Sequence, residues 1–127
     1  MKTLDENELI TISNVNKSFA SGDSDIRVLN DVTFSIPQDS FTIIHGPSGS
    51  GKTTLLNIIT GLQKPSTGSV HYKDEDIYNL TPNERAHFRA KSMGIVYQTN
   101  FWVQSLNVLE NVALPLFFLG YGKSEAE

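Results

Sequence analysis

Residues 46–53 read Gly-Pro-Ser-Gly-Ser-Gly-Lys-Thr and follow the spacing G-x-x-x-x-G-K-[ST]. No other stretch restricts the fold as strongly. Glycine at 46, 49 and 51 lets the backbone curl until successive N–H groups point inward and form an anion nest. The arrangement needs a strand feeding the loop and a helix leaving it, because the helix N-terminus adds its positive dipole end to the nest. Both flanks have the required pattern. Residues 41–44 are a short β-branched apolar run, expected as a buried strand, and apolar residues at 55, 56, 58, 59 and 62 make a helical stripe over residues 52–62. In such a loop Lys52 reaches the β- and γ-phosphates of a nucleotide as a point charge. The Thr53 hydroxyl then binds the Mg²⁺ that bridges the same phosphates. At average residue frequencies a chance match in a chain this short falls below ~1%. Gly122-Lys123-Ser124 echoes only the motif's end, since Phe117 stands where its first glycine belongs.

Further elements surround the loop. Residues 9–15 alternate and read as a first strand; residues 18–25 are small and polar and read as a loop. Val32, Phe34 and Ile36 alternate with polar residues in a second strand ended by Pro37. Pro65 and Gly68 mark a turn before a strand at 69–72, and 94–97 reads as another strand. Thr81 and Glu84 have capping-box spacing around Pro82, so a helix is expected from Pro82 to about Lys91. Asn107 caps a helix with Val108, Leu109 and Val112 on one face and a kink at Pro115. Ser124 and Glu127 repeat the capping-box spacing, so a helix is expected to start where the chain stops, as in the first part of a larger domain.

Composition narrows the function. The 127 residues suit one small domain, and the formal net charge of −4 argues against a nucleic-acid partner. The chain has no cysteine, which removes disulfides, thiolate metal sites and thiol catalysis. The polar, acidic start is unlike a secretory signal. The longest apolar run, 112–119, is too short to span a bilayer, so a membrane connection is expected to go through a partner.

The wider pattern resembles the ATP-binding subunit of an ABC transporter. The phosphate loop, continued by Thr54-Leu55-Leu56-Asn57-Ile58-Ile59 and Thr60-Gly61-Leu62, is similar to that family. So are the turn Pro65-Ser66-Thr67-Gly68-Ser69-Val70, the strand Gly94-Ile95-Val96-Tyr97 with its terminal Gln98, and Glu110-Asn111-Val112 within 106–115. The likeness is strongest to the lipoprotein-release and macrolide-export subgroup. It implies an α/β fold: a P-loop NTPase core of the three-layer ABC ATPase type with an antiparallel β subdomain, incomplete at its C-terminus. It implies ATP and Mg²⁺ as ligands at Gly46, Pro47, Ser48, Gly49, Ser50, Gly51, Lys52, Thr53 and Thr54. Phe19 matches the aromatic residue that stacks on adenine. Gln98 matches the Q-loop glutamine that contacts Mg²⁺ and the attacking water, so that Lys52 and Gln98 are the expected catalytic residues and Thr53 and Gln98 the metal ligands. Phe101 and Trp102 fall where a transmembrane permease subunit docks. A second ATP-binding subunit and a place at the inner face of the cell membrane are implied as well.

The departures bear on activity. Nothing matches the family's Leu-Ser-Gly-Gly-Gln segment, and no apolar strand ending in Asp-Glu follows Gln98. His45, His71 and His87 all precede Gln98, on the wrong side for the switch histidine; His45 is read as a packed strand-end residue. Asp74, Glu75 and Asp76 read as a solvated turn. The expectation is the N-terminal portion, residues 1–127, of one ATP-binding domain that binds but does not hydrolyse ATP alone. A small phosphate-loop kinase and a non-catalytic nucleotide-binding remnant are the alternatives. The kinase is disfavoured because two strands precede the loop.

Overall fold

A computed structural model describes residues 7–22, 24–98 and 102–126. The chain divides into two compact units, residues 1–81 and 82–127.

The first unit is built on an antiparallel sheet. Strand β1 (Glu8–Ser21) pairs with β2 (Ser24–Pro37) on one side and β3 (Thr67–Tyr72) on the other, and β4 (Glu75–Asp76) extends the edge in the order β2-β1-β3-β4. Both long strands reach into the segment expected to be a loop: Ser18↔Arg27, Phe19↔Ile26 and Ala20↔Asp25 are paired, and Gly22 turns with φ 60°. That ribbon is polar and exposed, so it carries no apolar alternation to mark it as strand.

A phase change in β1 sets the core. Strict alternation from Ile10 and Ile12 would send Asn14 inward. Asn14 instead adopts φ 49°, the register with β2 shifts between Ile12 and Val15, and both apolar residues are fully buried. Asp31 has the same φ of 49° on β2, and the Asn14 amide donates to its Oδ1 at 2.8 Å. The Asn16 carboxamide oxygen accepts from the Asp31 N–H at 2.9 Å. These short polar side chains thus satisfy backbone groups where the ladder is interrupted.

Helix α1 (Lys52–Ile59) buries Leu55, Ile58 and Ile59, which join Ile12, Val15, Leu29, Val70 and Ile77 as the unit's core. Two tyrosines finish the helix. The Tyr72 hydroxyl donates to the Ile59 carbonyl at 2.9 Å, and the Tyr78 hydroxyl lies 2.6 Å from the carbonyls of both Ile58 and Gln63. The Ile58 and Ile59 carbonyls belong to the last turn, where intrahelical partners run out, and the Gln63 carbonyl to the segment beyond it. Burial pushes the Tyr72 phenol up to about 12.

One expected strand is not found. Residues 41–47 belong to no ladder, and Phe41 is 89% and Ile43 68% exposed. A strand is a property of pairing, and an apolar run becomes one only beside a neighbour. A consequence follows for stability. Ile43→Ala should change the unfolding free energy of this chain by less than about 0.5 kcal/mol, measured by urea denaturation. A loss of about 2–5 kcal/mol would mark a buried strand instead.

In the second unit α2 (Pro82–Ser92) starts at the expected proline. Residues 94–97, also expected as a strand, form no ladder, and Val96 is 99% exposed. Helix α3 (Val108–Phe118) has the expected cap: the Asn107 side chain accepts from the Glu110 N–H, and Glu110 Oε2 accepts from the Asn107 N–H. Val108, Leu109 and Val112 are exposed, and the helix continues through Pro115 with Ala113 as its buried residue. The Asn111 amide nitrogen donates to the Val103, Leu106 and Asn107 carbonyls within 3.2 Å, while its oxygen accepts from the Val103 N–H. One side chain thereby fastens the preceding loop to the helix. Helix α4 (Lys123–Ala126) begins one residue before the expected Ser124 cap. Glu125 accepts from the Gly122 N–H instead, and Glu127 lies outside the described residues. Among the described residues no helix is long and apolar enough to cross a membrane.

Candidate functional site

The loop at 46–51 has the backbone that its glycines anticipate, with φ of 155° at Gly46, 81° at Gly49 and 89° at Gly51. Gly51 is constrained twice. Its left-handed φ excludes most side chains, and a Cβ there would lie 3.0 Å from Leu29 Cδ2 and 3.1 Å from the Val28 carbonyl oxygen. It therefore seats the loop against β2 and starts α1 in the same step. As N-cap it supplies no side-chain acceptor, so the first-turn N–H groups of α1 have no side-chain cap. Pro47, Ser48, Ser50 and Thr53 are exposed and Thr54 is half-buried.

Lys52 leans back over its own loop. Its ammonium donates to the Gly46 carbonyl at 2.9 Å and to the Pro47 carbonyl at 2.8 Å. The chain's own backbone thus holds a cation on the glycine loop, next to the N-terminus of α1, whose first-turn N–H groups have no side-chain cap. Such a donor set suits a polyphosphate. It also suits Mg²⁺ of the kind that keeps waters and phosphate oxygens as most of its ligands, with Thr53 giving a single hydroxyl. Among the described residues no group of three or more His, Asp or Glu is placed to make an all-protein metal cage.

The other expected site residues are distributed as follows. Phe19 lies on the exposed β1–β2 ribbon of the first unit and is 38% exposed. Gln98 is exposed and belongs to the second unit. Trp102 is exposed; Phe101 lies outside the described residues. His45, expected to be packed, is exposed, because the segment before the loop lies in no sheet. Asp76 is more than a solvated turn residue, since its Oδ1 accepts from the Tyr78 N–H at 2.9 Å. Glu110 is committed to structure. The Asn107 N–H, and then the Lys123 ammonium at 3.2 Å, hold its carboxyl below the usual carboxylate range. Sequence reasoning missed Lys17, whose ammonium sits 5.1 Å from the Phe19 ring centroid. The Lys17-x-Phe19 spacing on one strand was the available signal.

Comparison with known proteins places these features in context. The sequence profile of the ABC transporter family matches residues 29–127. The uncharacterized ABC transporter ATP-binding protein YknY of Bacillus subtilis is 39% identical over 94% of this chain, a match that covers 52% of YknY. The lipoprotein-releasing system ATP-binding protein LolD of Idiomarina loihiensis is 34% identical over 94% of the chain and 52% of its own length. Among solved structures, the dimeric bacterial ABC transporter cassette MJ0796 superposes with a TM-score of 0.86 at 38% identity, covering 92% of this chain and 52% of that one. A second structure of MJ0796 is a post-hydrolysis state bound to ADP and Pi. The chain thus spans about half the length of these relatives, and the part it spans has the fold of the corresponding part of the MJ0796 cassette.

Proposed function

Because this chain belongs to the ABC transporter family, we propose that it forms part of an ATP-binding subunit and holds Mg-ATP at residues 46–54. The observation that carries this reading is the loop itself. Its glycines turn left-handed, the N-terminus of α1 has no side-chain cap, and the Lys52 ammonium lies 2.8 Å and 2.9 Å from loop carbonyls. Backbone N–H groups would take the phosphate oxygens, and Lys52 would exchange its carbonyl partners for the β- and γ-phosphates. The Thr53 hydroxyl would hold the metal ion, and Gln98 matches the glutamine that contacts it in the family. When bound, Mg²⁺ supplies neutralisation of charge across the phosphates. The Phe19 ring would stack on adenine, which predicts weak discrimination between ATP and GTP.

The whole assembly's activity follows the same reading. A second ATP-binding subunit would face the loop, and a membrane permease would dock near Phe101 and Trp102, placing the subunit at the inner face of the membrane. Family membership leaves the small-kinase alternative without support.

Hydrolysis by this chain alone is not expected. Gln98 can orient a water, but an amide cannot accept its proton as a carboxylate does. Glu110, the acid between Gln98 and the terminal segment, already accepts from Asn107 and Lys123. Calorimetry should therefore detect weak Mg-ATP binding, while phosphate release should equal that of a Lys52→Ala control at saturating Mg-ATP. Turnover lost in that control would show that another group serves as base. Absence of any Mg-ATP binding by folded chain would overturn the reading.

A further inference from the structure

The nucleotide reading uses the Phe19 ring but leaves Lys17, which stands over that ring, without a role. The Lys17 ammonium is half-fixed by a 2.9 Å bond to the Lys64 carbonyl and stands over the Phe19 ring at 5.1 Å from its centroid. The turn that carries Lys64 is itself tied to β1. The Ser66 N–H donates to the Asn16 carbonyl at 2.8 Å, and the Ser18 N–H donates to Ser66 Oγ at 3.1 Å. The ammonium is therefore positioned by a carbonyl whose own turn is fastened to β1, and is not a wandering surface charge. An aromatic ring has two faces, and a cation on one leaves the other for a planar ligand. The cation also draws π density toward itself. That relieves repulsion between the ring and an electron-rich base on the opposite face.

We propose that Lys17 is a positioning residue for the nucleobase: it covers one face of Phe19, directs stacking to the other face, and strengthens it. This rests on the reading of residues 46–54 as the phosphate site, with Phe19 at the base. Lys17 touches ring and carbonyl, not phosphate, so its effect belongs to the base alone.

The test compares Mg-ATP with Mg-tripolyphosphate, which has the charge but no base. Lys17→Met keeps most of the apolar stem and removes the cation. It should weaken Mg-ATP binding about two- to fivefold and leave tripolyphosphate unchanged. Lys17→Arg should restore ATP affinity, since guanidinium also sits over aromatic rings. In a Phe19→Ala background Lys17→Met should have no further effect, as expected of a coupled pair. Retained tripolyphosphate affinity shows that each variant is folded with its loop intact. Equal weakening of both ligands, or an effect that persists without Phe19, overturns the proposal. Mg-ATP binding that is lost in Lys52→Ala yet untouched by Lys17→Met overturns this inference alone. A wild-type chain that binds neither ligand overturns the phosphate-site reading and this inference with it.

Discussion

Lys52→Ala should lower Mg-ATP affinity by about ten- to a hundredfold, the value of one or two charge-assisted hydrogen bonds to phosphate. The side chain brings the loop's own point charge, and in the free protein it already reaches the Gly46 and Pro47 carbonyls. Its removal deletes the ligand's counter-charge and leaves Leu55, Ile58 and Ile59, the buried residues of α1, in place. Folding should be unchanged by circular dichroism and urea midpoint, so that the loss is read as binding. Tripolyphosphate should be weakened by the same factor as ATP, since both present phosphate to the same group. Unchanged affinity in a folded variant would sink the assignment of residues 46–54.

The second large effect is on stability. Gly68→Ala should destabilise the first unit by about 2–5 kcal/mol, combining a left-handed φ with overpacking. Gly68 has φ 92°, and a Cβ there would lie 2.5 Å from the Asn14 carbonyl oxygen and 2.6 Å from that of Ser13. Both atoms are backbone on the neighbouring strand, so neither can swing aside as a side chain tip would. To accept a methyl group, β3 must move away from β1, between whose buried Ile12 and Val15 and Val70 the core is divided. Gly49→Ala is the control. Its φ of 81° is also left-handed, but a Cβ would meet nothing within 4 Å, so its cost should stop at about 1–2 kcal/mol. Equal urea midpoints for the two variants would show that the β1–β3 approach is not what constrains residue 68.

Much of the candidate site was legible because its chemistry is local. A phosphate nest is made by consecutive residues, so the glycine spacing, Lys52 and the following helix could be read together from a single window. The same holds for the Asn107–Glu110 capping box, whose two hydrogen bonds join residues three apart. Elements that depend on a distant partner were read less well. Residues 41–44 and 94–97 carry strand-like apolar runs, yet neither lies in a ladder, and their apolar side chains are largely exposed. The polar ribbon at 18–27 erred the other way, because backbone pairing alone makes it strand.

The sequence by itself determined the glycine loop at 46–51, the helix that follows it and the family resemblance, since each rests on short-range spacing and residue type. Only the tertiary structure decided where β1 changes phase. Asn14 and Asp31 reach φ 49° on facing strands, and that shift is what buries Val15 beside Ile12. It likewise decided that Lys17 stands over Phe19, because the ammonium is held by the carbonyl of Lys64, far along the chain. The division follows from range: backbone conformations and caps are written in neighbours, whereas register, burial and the placing of a charge over a ring depend on segments that meet only after folding.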